Sequence, residues 1–480
     1  MIFARTSDLW WKNAIFYCVD VETFQDSNGD GVGDLAGMIQ RIDYLSRLGV
    51  TCLWLMPFYP TAHRDDGYDI TDYYAVDPRL GSLGDFVELM RAARDRGMRV
   101  IADLVVNHTS REHPWFQAAR ADPRSPYRDW YVWSETLPSE RPGDLVFPDQ
   151  EDSNWEWDEA AKAYYLHRFY KDQPDLNIAN PQVREEIRKI VGFWLALGLA
   201  GFRVDAVPFL LETMGMEDAQ NIEPHAWMRD LRAFLSRRRG DAILMGEVNL
   251  EPLEVRRFFG DEDGDELHLC LNFNLNQALA LALVRGDAAP LVHGLRALPP
   301  LPPECQWANF VRNHDEWSLD KLTEAERQEV FRALGPKPEM QLFGRGLRRR
   351  LPAMLNGDEV RLRMVYSLAF ALPGAPVLFY GEEIGMAENL AIPGRLSVRS
   401  PMQWTPERHG GFSSAPMDRW SRPMVTGRRW GPAAVNAADQ DRDPASLLNW
   451  MQRLIDRRRQ TPEIAFGACS VLPLAQASLL

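Results

Sequence analysis

Four groups of polar side chains stand just beyond short apolar runs in this 480-residue chain. The first is Asp103 with Asn107 and His108, and the second is Arg203 with Asp205. Glu247 stands alone as the third, and His314, Asp315 and Glu316 form the fourth. Three carboxylates gathered in a water-poor pocket suit cleavage of a glycosidic bond. One attacks the anomeric carbon, one protonates the leaving oxygen, and the third orients the sugar or stabilises the positive transition state. In a retaining enzyme the acid and the nucleophile stand only about 5–5.5 Å apart. Like charges that close raise the pKa of one partner and keep it protonated near neutrality. Arg203 shares a strand face with Asp205, and its fixed positive charge keeps that carboxylate ionised. His108 and His314 can donate hydrogen bonds to hydroxyls. Singly, each carboxylate reads equally well as a surface charge or helix cap, and each histidine as structural. Together, the whole set falls in phase with predicted strand ends, which points to chemistry.

Those ends belong to eight apolar runs: Ala14–Val19, Cys52–Met56, Arg99–Val105, Gly201–Val204, Ala242–Gly246, His268–Phe273, Trp307–Val311 and Pro376–Tyr380. Amphipathic stretches such as Leu35–Leu48, Leu83–Arg96 and Val183–Leu197 lie between them. Continuous apolar strands alternating with helices predict a parallel sheet covered on both faces. Eight such units predict a closed (β/α)8 barrel, whose C-terminal rim gathers residues that are far apart in sequence. The barrel is expected over residues 1–108 and 176–460. Residues 109–175, rich in Trp, Pro, Asp and Tyr, predict a small domain inserted after the third strand. Two further excursions, Trp317–Asn356 and Ile384–Gly431, follow the seventh and eighth strands. The basic cluster Arg345–Arg350 in the first of them reads as a solvated helix face. After a helix-like stretch at Ala445–Arg459, residues 461–480 suffice for one strand or a tail, the remnant of a C-terminal β-domain that is absent or cut short.

Composition sets the class. The chain is 45% hydrophobic and 25% charged, ordinary for a soluble globular protein. Its net charge of -14 gives no basic footprint for nucleic acid. No apolar run is long enough to span a bilayer, and Met1 to Asn13 lacks the apolar core of a signal peptide. The five cysteines are scattered, without a CxxC pair, which fits a reducing cytoplasm. Sixteen Trp and 22 Phe read first as a large core and second as stacking faces for sugar rings. Oligomeric state leaves no mark in the sequence.

The segments Asp103-Leu-Val-Val-Asn-His108, Gly201-Phe-Arg-Val-Asp205, Gly246-Glu247 and Val311-Arg-Asn-His-Asp315 resemble the α-amylase family, glycoside hydrolase family 13, in order and spacing. The resemblance runs from about Asp8 to Gln460. It implies that Asp205 is the nucleophile, Glu247 the general acid/base and Asp315 the transition-state stabiliser. It also implies that His108, Arg203 and His314 hold the sugar, and that Asp65 and Tyr68 close the non-reducing end of the site. Arg399 is implied to reach the same sugar.

Asp26, Asn28, Asp30 and Asp34 alternate along a glycine-rich loop, a spacing of hard oxygen donors that suits Ca²⁺. The glutamate that would complete an EF-hand loop is missing, since residue 37 is Gly. The family resemblance implies one divalent ion here, with Val32 adding its carbonyl, in a structural role. A metal-free Asx-rich turn is the competing reading. No organic cofactor is expected.

Gln173-Pro-Asp-Leu-Asn177 resembles the oligo-1,6-glucosidase side of the family, which acts on short α-glucosides. Asp205-Ala-Val-Pro208, Asn313-His-Asp-Glu-Trp-Ser-Leu and Thr323-Glu-Ala-Glu-Arg327 resemble trehalose synthases, which isomerise maltose to trehalose within one pocket. The chain departs from them at Gly246-Glu-Val-Asn249, at Ile392–Val398 and at its C-terminus. Three functions follow: a trehalose synthase-like glucosyl isomerase, an α-glucosidase hydrolysing maltose, sucrose or isomaltose-type sugars, and a catalytically inactive binding subunit. The expected partner is a small α-glucoside such as maltose or trehalose, with neither nucleic acid nor membrane involved.

Overall fold

A computed structural model describes residues 9–139, 145–211 and 223–472. Eight parallel strands close into a barrel: β1 (Phe16–Val19), β2 (Cys52–Leu55), β3 (Arg99–Leu104), β4 (Gly201–Val204), β5 (Ile243–Gly246), β6 (Leu269–Leu271), β7 (Gln306–Phe310) and β8 (Ala375–Phe379). Each neighbours the next in sequence, and β8 closes on β1 through Phe16 opposite Val377. All eight expected runs became barrel strands. Their residues are almost wholly buried, as a sheet covered on both faces requires.

β4 starts at a position only glycine tolerates. Gly201 has φ 143°, and a Cβ there would lie 2.2 Å from the Ile243 carbonyl oxygen on β5. This close backbone approach sets the register that pairs Arg203 with Met245 and Val204 with Gly246.

Helices cover the barrel. The helix Leu83–Asp95 begins with a capping box between Ser82 and Asp85. Pro181–Ala196 begins with an Asn180 cap and proline in its first turn. The stretch Leu35–Leu48 departs from expectation, because it forms two helices, Leu35–Gln40 and Ile42–Leu48. Arg41 separates them; its Nε donates to Gln25 Oε1 at 2.7 Å, and its guanidinium stacks 4.3 Å from the Trp404 ring.

Between β3 and β4 the chain leaves the barrel. It forms the helix Pro114–Ala121 and an antiparallel sheet in which Ala163–Leu166 lies between Trp133–Ser134 and Trp155–Asp158. His108 faces Asp175 across an isolated bridge at the neck of this excursion. Beyond β7, Trp317–Ser318, Gly346–Leu347 and Gln341–Leu342 make a second small sheet.

The Arg345–Arg350 cluster is not a solvated helix face. It runs through a strand into a loop, and its cations meet partners from other loops. Arg348 donates to the Leu390 carbonyl at 3.1 Å, and Arg349 to Glu388 at 2.8 Å. Arg350 is 1% exposed and donates to the carbonyls of Tyr380 and Val398 at 2.8 and 2.9 Å. Buried guanidinium groups with several carbonyl partners pin one loop to another. Near the end of the described chain, the helix Leu447–Arg459 packs in the outer ring between Glu359–Ala371 and Ile42–Leu48, and its Arg458 donates to the Gly374 carbonyl at 2.7 Å. Residues 473–480 of the expected C-terminal remnant, and residues 1–8 of the N-terminus, lie outside the described residues. Among the described residues, no helix is long and apolar enough to cross a membrane. The five cysteines are free, and Cys469 alone is exposed.

Candidate active site

A pocket of about 440 Å³ opens at the C-terminal rim of the barrel. Asp205, Glu247 and Asp315 line it, having arrived from β4, β5 and the segment after β7. Asp65, Tyr68 and His108 line it as well. Arg203, His314 and Arg399 are not among its lining residues; they are fully buried behind its wall. Arg203 and Arg399 meet carboxylates there, and His314 lies between Tyr68, Asp315 and Cys18.

Arg203 is the hub. Its guanidinium pairs with Asp103 at 2.5 Å, with Glu247 at 2.7 Å, and with Asp205. One planar guanidinium can bridge two carboxylates only if they stand close. Held on one guanidinium, Asp205 and Glu247 stand side by side, the closeness that a retaining pair needs. Asp103 is committed on all sides, since it also accepts from Trp54 Nε1 at 2.9 Å and from the Tyr68 hydroxyl at 3.3 Å.

Burial and charge separate the three pocket carboxylates. Burial raises Glu247 to about 7, opposed by Arg203 and reinforced by the negative charges of Asp205 and Asp315. Burial also raises Asp205, to about 6, against the pull of Arg203. Asp315 goes the other way. Burial pushes it up, but Arg395, His314 and Arg399 hold it far below the usual carboxylate range. Of the three, Glu247 is therefore the carboxyl that holds a proton most readily.

Burial lowers His108 to about 4 and His314 well below its ordinary value. His108 Nε2 lies 3.1 Å from the Tyr68 carbonyl oxygen. His314 Nε2 lies 2.6 Å from the Tyr68 hydroxyl and 3.2 Å from Asp315 Oδ2, with its ring stacked on Tyr68. Tyr68 thus joins the Asp103 cluster to the Asp315 cluster.

Several residues escaped the sequence reading. Arg395 pairs with Asp315 at 2.7 Å and with Glu316 at 3.2 Å. Arg399 meets Asp66 at 2.5 Å as well as Asp315 at 3.0 Å, while its neighbour Asp65 accepts from Gln173 at 2.8 Å. Ala206, directly after Asp205, takes the left-handed conformation at φ 49°, which costs a non-glycine residue about 1 kcal/mol or more. The turn aims its N–H at Glu247 Oε2, 3.1 Å away. In Gly394-Arg-Leu-Ser-Val-Arg399 the only charges are two arginines four residues apart, and nothing in that pattern marked Arg395.

Two rim excursions meet over the pocket. Phe147, from the β3–β4 excursion, lies between Tyr170 and Phe343, with ring centroids 4.6 and 4.8 Å away. Arg345 donates to the Val146 carbonyl at 2.5 Å across the same seam.

The loop at Asp26–Asp34 is closed on itself. Asp26 accepts from the N–H groups of Asn28, Gly29 and Gly31, and from the Ser413 hydroxyl, at 2.5–3.0 Å. Asn28 and Asp30 each accept from the N–H two residues on, that of Asp30 and that of Val32. Asp34 caps the next helix through the Gly37 N–H at 2.6 Å. Among the described residues, no three His, Cys, Asp or Glu side chains gather as one metal-holding group. The donors that the loop does offer are all oxygen.

Comparison with known proteins agrees with this geometry. Residues 19–329 and 347–467 match the family profile "Alpha amylase, catalytic domain". The chain is 42% identical over 473 residues to trehalose synthase/amylase TreS of Mycobacterium tuberculosis, covering 98% of this chain and 78% of that protein. It is 40% identical to the trehalose synthase of Pimelobacter sp., covering 95% of this chain and 81% of that one. Among solved structures it resembles trehalulose synthase MutB from Pseudomonas mesoacidophila, with a TM-score of 0.74 and 26% identity over 96% of this chain and 85% of that one. With its eight-stranded barrel, its rim carboxylates and a match across most of its length, this chain belongs to the α-amylase family and is one of that family's glycosidases or transglucosidases.

Proposed function

We propose that this chain isomerises maltose to trehalose by glucosyl transfer within one closed pocket. An Asp205 oxygen attacks C1 of the non-reducing glucose while the C1–O4 bond breaks, and Glu247 donates its proton to the leaving O4. A glucosyl ester of Asp205 and a free glucose result. The glucose then turns and attacks C1 through its own anomeric hydroxyl. Glu247 takes that proton, and Asp205 leaves as carboxylate. Asp315, anionic between Arg395, Arg399 and His314, offsets the positive charge that develops at C1 in both steps. Arg203 orients the two reacting carboxylates from behind.

The observation that carries the reading is the seam of Val146, Phe147, Phe343 and Arg345 over the pocket. Isomerisation needs the freed glucose kept in and water kept out, and two excursions in contact above the site serve both ends. The strong similarity to proteins named trehalose synthase supports the same reading. Incubation with maltose tests it. Trehalose with little glucose is the expected product; glucose alone would mean that the enzyme is an α-glucosidase.

We further propose that Asp26, Asn28, Asp30, Val32 and Asp34 hold a Ca²⁺ ion. An all-oxygen donor set suits a hard divalent cation, and Gly29 and Gly31, both at positive φ, let the loop turn tightly. The ion would brace the loop after β1 and takes no part in the transfer. Free, buried thiols fit residence in a reducing cytoplasm.

A further inference from the structure

We infer that Arg395 is a positioning residue that ties closure of the rim to the placement of Asp315, and so sets the division between transfer and hydrolysis. Its guanidinium lies 4.9 Å from the Phe147 ring centroid and 5.8 Å from that of Phe343. These are the two rings whose contact joins the excursions over the pocket. The same guanidinium holds Asp315 at 2.7 Å and Glu316 at 3.2 Å. One cation therefore lies over the two rings of the seam and pairs with both carboxylates. A guanidinium suits both tasks, because its plane stacks on aromatic rings while its N–H groups stay free for a carboxylate.

The consequence is a coupling. With the seam closed, the rings fix the plane of Arg395, and Arg395 fixes Asp315. With the seam open, the cation loses its aromatic seat and Asp315 loses one of its partners. Charge stabilisation at C1 is then strongest when water is excluded, so a glucosyl ester forms mainly in the state that favours sugar as the acceptor. Phe343 is a clean place to test this. It is buried but does not line the pocket, and it holds its ring from a strained position at φ 56°.

The inference rests on the isomerase reading, and one experiment separates the two. Initial rates of trehalose and glucose formation from maltose are measured for the wild type, Phe343→Ala, Arg395→Lys and the double variant. Phe343→Leu, which keeps apolar volume without a ring, replaces Phe343→Ala if the latter fails to fold. Lysine keeps the charge of Arg395 and loses its stacking plane. Each single change is expected to lower the trehalose-to-glucose ratio by roughly threefold to tenfold, and the double variant no further than the worse single one, the non-additivity of two parts of one device. In Phe343→Ala, total turnover of maltose should fall together with the product ratio, because the open rim also loosens Asp315. A lowered melting temperature with an unchanged ratio would make Phe343 merely structural and overturn the inference. Multiplying effects in the double variant would overturn it too. A wild type that yields glucose alone refutes the isomerase reading; the coupling then stands or falls on the same non-additivity in kcat.

Discussion

Arg203 and Glu247 form a 2.7 Å ion pair beneath the pocket, although Glu247 is the group that must carry a proton. Burial and two anionic neighbours outweigh the cation and set Glu247 at about 7. Asp205, on the same guanidinium, lies lower at about 6. Transfer needs Asp205 ionised and Glu247 protonated. Activity should therefore rise as pH climbs through the lower apparent value and fall as it passes the higher, giving a narrow bell between roughly pH 6 and 7 in kcat/KM. A profile flat from pH 5 to 9 would contradict the assignment.

Asp205→Asn replaces the nucleophilic carboxylate with a neutral amide. Turnover of maltose should vanish, while the melting temperature stays within a few degrees, because Asp103 and Glu247 still engage Arg203. Measurable isomerisation or hydrolysis in the purified variant would sink the nucleophile assignment.

Glu247→Gln keeps the shape and loses the proton. Turnover of maltose should fall by roughly 10²–10⁴-fold. An aryl α-glucoside whose leaving group needs no proton should recover most of the first step, visible as a burst of phenolate. Equal losses on both substrates would assign Glu247 another role.

Gly201→Ala places a Cβ against the Ile243 carbonyl. The backbone of β4 must then shift or unpair, which should cost about 3 kcal/mol or more in denaturant titration. The same shift would displace Arg203 and Asp205 together, so residual activity should fall further than stability alone explains.

Removal of divalent ions with a chelator should lower the melting temperature by at least about 2 °C if the Asp26–Asp34 loop holds calcium, and added Ca²⁺ should restore it. An unchanged melting curve would leave the loop as an Asx-rich turn.

The barrel was legible because its strands are buried on both faces and read as unbroken apolar runs, such as Cys52–Leu55 and Ala375–Phe379. The carboxylates were legible because each stands where such a run stops. Loops gave no comparable signal. Arg395 and Asp66 act through partners from distant excursions, and no periodicity marks either. Arg350 misled for a related reason: a run of arginines looks solvated, and the carbonyls that accept its hydrogen bonds belong to residues 380 and 398. Leu35–Leu48 kept one amphipathic face in sequence, yet the chain breaks at Arg41 to reach Gln25 and Trp404.

β1 finds its second neighbour in β8, some 360 residues later in the chain. Until that strand is made, a chain emerging from the ribosome carries a curved sheet with two bare edges, and those of β1 and of the newest strand are open to other chains. Synthesis of this protein thus passes through a long interval in which most of the sheet exists and its last edge does not. Slow translation or a chaperone that shields the β1 edge should raise the yield of folded enzyme without changing the stability of the finished barrel.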